Sequence, residues 1–319
     1  MKREDKYLYN NNISDKGMKK SLLKEIRRHI PIYILMLIPL LYYIIFKYLP
    51  IWNSQIAFKD FMALDGVLGS KWIGFENFKT FFKSFYFWEL LRNTIFYSFG
   101  KLLVGVPTAI LLAIMIYETN HPKFGKIVQT LSYLPHFLSW VIVYGILLVL
   151  LAPGDGIIND LIKTLGGKPI DFLTNKKTFP AIVILSDAWK EMGWSAIIFI
   201  AALMAIDPTL FEAASVEGVS AWQRVWYITL PSIKPVIMMV VILKLGTILD
   251  AGFNQIFMLY SVPVYSVADI IDTWVYRQGL LEFKFGLATA VGLFKGVIGM
   301  AMVLLSNYLV KKYSDSSVI

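Results

Sequence analysis

No cysteine occurs in the 319 residues, which excludes disulfides, thiolate metal sites and cysteine nucleophiles. Charge is scarce as well. Asp, Glu, Lys and Arg make up 17% of the chain against 57% for the apolar set, whereas soluble domains carry about one quarter charged residues. Such a chain lacks the polar side chains to cover a water-facing surface of its size. Only three histidines are present, His29, His121 and His136. They show no metal-ligand spacing and read as surface or packing residues. A phosphate-binding loop needs a glycine five positions before the glycine of Gly-Lys. The pairs at Gly100, Gly125 and Gly167 have Ile95, Asn120 and Ile162 there, so this chain cradles no nucleotide by that motif. No Gly-x-Ser-x-Gly elbow or paired-carboxylate pattern stands out. An enzyme is therefore not expected, nor any metal or cofactor held by this chain. If it moves solute uphill, the energy comes from an ion gradient or from another subunit.

What the chain does have is long apolar runs. Six spans of about 20 residues need about 120 positions, and uncharged or nearly uncharged runs lie at about 30–50, 93–117, 127–151, 179–206, 236–260 and 286–310. The fold class expected is all-α integral membrane, with six transmembrane helices. The formal net charge of +9 is unevenly placed: nine of the 31 Lys and Arg fall in the first 28 residues. A basic tail before the first apolar run is the positive-inside signature, so residues 1–29 read as a cytoplasmic tail. Six spans then put 311–319 on the same side. The first run is followed by Phe46-Lys47-Tyr48-Leu49-Pro50 rather than small residues, which marks a retained anchor and not a cleaved signal.

Ionisable groups at membrane depth cost several kcal/mol unless paired or hydrated. Span two contains Lys101, span four Asp187, Lys190 and Glu191, span five Lys244 and Asp250, and span six Lys295. Asp187 and Lys190 are spaced to neutralise each other on one helix face. Thr247, Asp250 and Asn254 would form one polar stripe on a continuous helix, read as lining a cavity. Lys101 and Lys295 read as snorkelling to the interface. Span three carries no charge and is read as facing lipid or a packed interface. Gly292-x-x-x-Gly296 permits close helix approach, read as ordinary packing.

The segment 207–231 between spans four and five is more than a connector. Asp207 before Pro208 is a favoured helix start, and Gly218 can end that helix in the left-handed conformation. Ser220 and Gln223 form a capping box for a second short helix, expected to stop before Pro231. Leu210, Phe211, Ala214, Trp222, Val225 and Trp226 supply apolar surface suited to a partner's groove.

These residues carry a resemblance. Glu212-Ala213-Ala214, then Gly218, then Ile228-x-Leu230-Pro231 resembles the EAA–Gly–(I)xLP loop of permease subunits in binding-protein-dependent ABC importers. Pro50 with Ile56-Ala57-Phe58-Lys59-Asp60, Gly74-Phe75-Glu76-Asn77-Phe78, Asn93-Thr94, and Gln255-Ile256-Phe257 through Thr273-Trp274-Val275-Tyr276-Arg277 are similar to the carbohydrate-uptake branch, within it to the subgroup for polysaccharide-derived oligosaccharides. The resemblance implies a type I importer with the MetI-like permease fold, multi-pass in the bacterial cell membrane. It implies as partners a second, commonly different permease, two cytoplasmic ATPases that bind ATP and Mg, and an extracellular solute-binding protein, usually a lipoprotein in Gram-positive bacteria. It makes Glu212, Ala213, Ala214, Gly218, Leu230 and Pro231 the ATPase-coupling residues.

For the substrate pathway the candidates are Trp189, Glu191, Trp194, Asp250, Asn254 and Tyr260, because sugar sites combine directed polar groups with flat aromatic surface. Trp and Tyr are equally read as interfacial anchors. An ion-coupled carrier, a permease for a non-sugar solute and a membrane-embedded enzyme stay open as alternatives. The first would show inverted repeats, and none is visible.

Overall fold

Apolar runs this long satisfy their backbone groups in lipid only as helix or closed barrel, and strand alternation is absent. The computed structural model accordingly builds helices through most of the described residues, which are 15–119 and 121–313. Lys2, Arg3 and Lys6 of the basic tail and residues 314–319 of the C-terminal tail lie outside the described residues. The chain divides into two units, Met1–Ile56 and Ala57–Ile319. In the first, α1 (Asp15–Tyr43) passes through a π turn, Ile44–Tyr48, into Leu49–Asn53. Residues 15–28 of the basic segment are thus helical and continuous with the first apolar run.

The second unit opens on a small antiparallel hairpin, β1 (Lys59–Asp60) against β2 (Lys71–Trp72), with Lys59 opposite Trp72. The amide of Asn77, on α2 (Glu76–Phe82), holds this hairpin by donating to the carbonyls of Ala57 and Lys59 at 2.9 and 3.0 Å. The helices that follow are α3 (Phe87–Tyr117), α4 (Pro122–Tyr133), α5 (Trp140–Leu151), α6 (Phe179–Met204) and α7 (Pro208–Val216). Then come α8 (Ala221–Gly246), α9 (Phe253–Leu259), α10 (Ile271–Tyr276) and α11 (Phe285–Tyr313).

Three apolar clusters bind them. Val106, Ala109 and Ala113 of α3 meet Ala196, Phe199 and Leu203 of α6 and Ile233 and Val240 of α8. Tyr97 and Val183 meet Ile256 and Leu259 of α9. Phe81, Phe87 and Leu90 meet Trp274 and Leu287.

Small residues set the closest crossings. A Cβ on Gly193 of α6 would lie 2.1 Å from the carbonyl oxygen of Ser132 on α4, so this crossing tolerates glycine alone. Gly193→Val is expected to lower the melting temperature of the purified complex by several degrees, an overpacking cost of about 1–3 kcal/mol or more. Gly145→Val, with open space around its Cβ, should change it little.

Four expectations are corrected here. The run 127–151 is not one straight span: Pro122–Phe137 and Trp140–Leu151 meet at 106°. Pro135 supplies no N–H to continue the helix, and Ser139 starts the next one by accepting from the Ile142 amide. The second elbow helix does not stop before Pro231. It runs unbroken as α8, with a π turn at Val225–Thr229 just ahead of the proline. That wider turn relieves the clash a ring makes with the preceding carbonyl.

Span five is broken at 247–252, where Ala251 (φ 47) and Gly252 (φ 84) are left-handed, so Thr247, Asp250 and Asn254 do not form a helical stripe. Finally, Gly292 and Gly296 have open space at Cβ. The close approach is that of Gly299, whose Cβ would lie 2.6 Å from the Gly246 carbonyl oxygen.

Candidate functional site: an elbow and a charged cavity beside a broken helix

The elbow is built by local rules. The Asp207 carboxylate caps α7 by accepting from the Thr209 amide at 2.9 Å, and that bond holds its carboxyl below the usual range. At the other end Gly218 has φ 72. The Val219 amide donates to the Ala214 carbonyl at 3.0 Å and the Gly218 amide to Ser215 at 3.3 Å, which is the Schellman arrangement and needs a left-handed residue at its corner. Ser220 and Gln223 then close the capping box that opens α8.

The elbow is fixed to α3 as well. Phe211 meets Tyr117 at 6.1 Å between ring centroids, and Arg224 pairs with Glu118 at 2.5 Å. Glu212 and Ala213 face outward, Ala214 is buried, Gly218 and Pro231 are exposed and Leu230 is half-buried. A groove of about 370 Å³ runs between α7 and α8, bounded by Leu210, Ala213, Tyr227 and Ile228.

The second feature is the break at 247–252. Lys101 of α3 donates to the Ala251 carbonyl at 2.9 Å and to Gln255 Oε1 at 2.5 Å, and meets Asp187 at 3.2 Å. Gln255 donates in turn to the Val183 carbonyl and to Ser186 Oγ, at 2.7 and 2.9 Å. From α11, Lys295 meets Asp250 at 3.0 Å and Asp272 at 2.6 Å. Two ammonium groups on different helices therefore hold one unwound turn. The Cβ that Gly252 lacks would lie 2.1 Å from Lys101 Nζ, so glycine is what lets the lysine reach in.

These contacts correct three expectations. Lys101 and Lys295 are paired inside the bundle and do not snorkel. Asp187 pairs with Lys101, while Lys190 donates to the His136 carbonyl at 2.6 Å and meets Glu191 at 3.2 Å. His136 is more than a packing residue, since its Nδ1 lies 2.7 Å from Glu191 Oε2.

A cavity of about 330 Å³ opens beside the break, with Ser98, Lys101, Trp140, Asp187, Glu191, Ser195, Lys244, Thr247 and Asp250 on its wall. Of the six pathway candidates it brings together Glu191 and Asp250. Trp194 stacks on the His136 ring at 4.6 Å, and His136 in turn meets Glu191 on the wall. Trp189 and Asn254 are exposed and lie off this wall. Tyr260 stacks on Tyr265 at 5.0 Å in the return segment after α9. Ser98, Ser195 and Trp140 were not legible as liners, because isolated hydroxyls and a tryptophan in an apolar run give no pattern.

The return segment is pinned to α3. Asn93 Nδ2 donates to the Asp269 carbonyl at 2.9 Å, the Tyr97 hydroxyl to Val267 at 2.6 Å and the Ile271 amide to Thr94 Oγ1 at 3.0 Å. Arg277 pairs with Asp269. The motif residues Asn93, Thr94, Gln255 and Arg277 are thus the polar fasteners of this bundle.

Residues 90–315 match the family described as the binding-protein-dependent transport system inner membrane component. The chain belongs to that family. It is a multi-pass membrane protein with the permease fold. It is 41% identical over 306 residues to the polygalacturonan/rhamnogalacturonan transport system permease protein YteP of Bacillus subtilis (strain 168), covering 96% of this chain and 95% of the relative. Among solved structures it is similar to a chain of a bacterial ABC transporter involved in the import of the acidic polysaccharide alginate, with TM-score 0.84, 39% identity and coverage of 92% and 99% of the two chains. A second structure shows the alginate transporter in complex with an alginate pentasaccharide-bound periplasmic protein. The likeness there has TM-score 0.85 and 38% identity, covering 93% and 99% of the two chains.

Proposed function

We propose that this chain is a permease subunit that carries polysaccharide-derived oligosaccharides into the cell, forming half of the pathway of an ATP-driven importer. The observation that carries the reading is the elbow. A capped helix presents Glu212 and Ala213 outward beside an open groove, and its glycine corner leads without interruption into α8, the helix that ends at the break. A push on α7 therefore reaches the cavity along α8 and through the Arg224–Glu118 pair at the C-cap of α3.

In this reading the elbow and both termini face the cytoplasm, with a basic tail 1–29, a permease domain 30–310 and a C-terminal tail 311–319. Two ATPase subunits bind ATP and Mg, grip α7 and close together. A second permease, of a different sequence, completes the pathway. A solute-binding protein delivers the saccharide at the other end, where the 57–86 segment meets α11. That end lies about 46 Å away along the 31-residue α3. Sugar uptake is supported by the relatives' substrates, and delivery by a binding protein is supported by the alginate complex.

The test is uptake into vesicles of a labelled acidic oligosaccharide by the complete complex, with its ATPases, second permease and binding protein. Uptake is expected only with ATP. Uptake by this chain alone, following an imposed ion gradient, would instead establish the secondary-carrier alternative.

A further inference from the structure

We infer that Lys244 is the group that recognises a carboxylate on the transported saccharide, so that the cavity beside the break discriminates acidic from neutral sugars; this rests on the saccharide-import reading above. The acids on the cavity wall already have cations. Asp187 meets Lys101 at 3.2 Å, Glu191 meets Lys190 at 3.2 Å and Asp250 meets Lys295 at 3.0 Å. Lys244 stands exposed on the same wall; its backbone carbonyl accepts from Thr247, but its ammonium, among the described residues, forms no ion pair or hydrogen bond. It sits two residues before the end of α8, at the unwound turn inside the span, where a cation without a partner is costly and marks a substrate pathway.

A second, independent observation points to a ligand there. Ser98, only 7% exposed, has a buried Oγ that finds no hydrogen-bond partner among the described residues, and it too is on this wall. A buried hydroxyl is normally satisfied, so the wall holds an unmatched hydroxyl and an unmatched ammonium around one space. A uronic acid residue supplies both complements: a carboxylate for Lys244 and ring hydroxyls for Ser98. The Trp140 indole on the wall offers a flat apolar surface for the sugar ring. The volume of about 330 Å³ falls in the range of small-molecule pockets. A neutral sugar of the same shape leaves Lys244 unmatched, and charged contacts of this kind discriminate strongly.

The rival role for Lys244 is internal. Asp250 and Asp272 share the single Lys295, and Lys244 would then balance their second charge. Both roles are tested in the complete complex in vesicles, with a galacturonic acid trisaccharide and its carboxyl-reduced neutral counterpart as probes. The wild-type binding protein is kept throughout, so any change in preference belongs to the permease. Lys244→Met is expected to lower the ratio of acidic to neutral uptake at least about tenfold, as a rise in KM for the acidic probe, and Lys244→Arg to retain most of it.

Equal loss for both probes, or recovery by Lys244→Met/Asp250→Asn, would make Lys244 a counter-ion and overturn the inference. So would an unchanged ratio. Absence of uptake of either probe by the wild-type complex would instead count against the import reading itself.

Discussion

Gly218→Pro is expected to abolish ATP-driven uptake while the protein still inserts and assembles. Gly218 sits at φ 72, whereas proline is held near −65°, so the corner between α7 and α8 cannot close. The variant also loses the Gly218 N–H that donates to Ser215. Gly218→Ala, which costs about 1–2 kcal/mol of left-handed strain but keeps the amide, should retain a measurable fraction. Glu212→Lys separates shape from contact: Glu212 is exposed, so the helix survives and only what it touches changes. Both Gly218→Pro and Glu212→Lys should lose stimulation of ATP hydrolysis by the loaded binding protein. Normal uptake by Gly218→Pro would remove the elbow from the mechanism.

Lys101→Met carries the second large effect. The lysine and Asp187 have only 11% and 22% of their side chains exposed. Methionine preserves the apolar stem, but it leaves Asp187 charged without its partner and the Ala251 carbonyl without its donor. Breaking a buried pair in this way costs about 3–5 kcal/mol. The purified complex should melt at a clearly lower temperature and its uptake should fall severely. Lys101→Met/Asp187→Asn removes the stranded charge and should recover part of the stability. It should not recover full uptake, because the unwound turn at 247–252 still lacks one of its two lysine holds. Equal stability of the single and double variants would show that the pair is not what Lys101 provides.

Much of this was legible in the sequence for a physical reason: lipid reduces the choice of backbone to helix, and caps are local. Asp207, Gly218 and the Ser220/Gln223 box act within one turn of chain, and each forms as its residue type dictates. The failures are partly long-range and partly local. Asp187 had a lysine three residues away, but its partner came from another helix. Pro231 read as a stop because a proline ends most helices, and the π turn that accommodates it has no distinct composition. The break at 247–252 lies in an apolar run with no proline. Gly252 hints at it, but the stabilising groups, Lys101 and Lys295, lie 151 and 43 positions away in sequence from Gly252.

The absence of cysteine permits a direct test of where force enters the fold. Ala213→Cys places a single thiol on the exposed face of α7. It can be joined by a short bifunctional reagent to single cysteines introduced around the nucleotide-binding subunits of the assembled importer. A specific cross-link from position 213 to one ATPase cleft is expected, with arrest of uptake until the link is cleaved. A position 213 that reacts only with lipid or bulk reagent, in a complex that transports normally once blocked there, would contradict it.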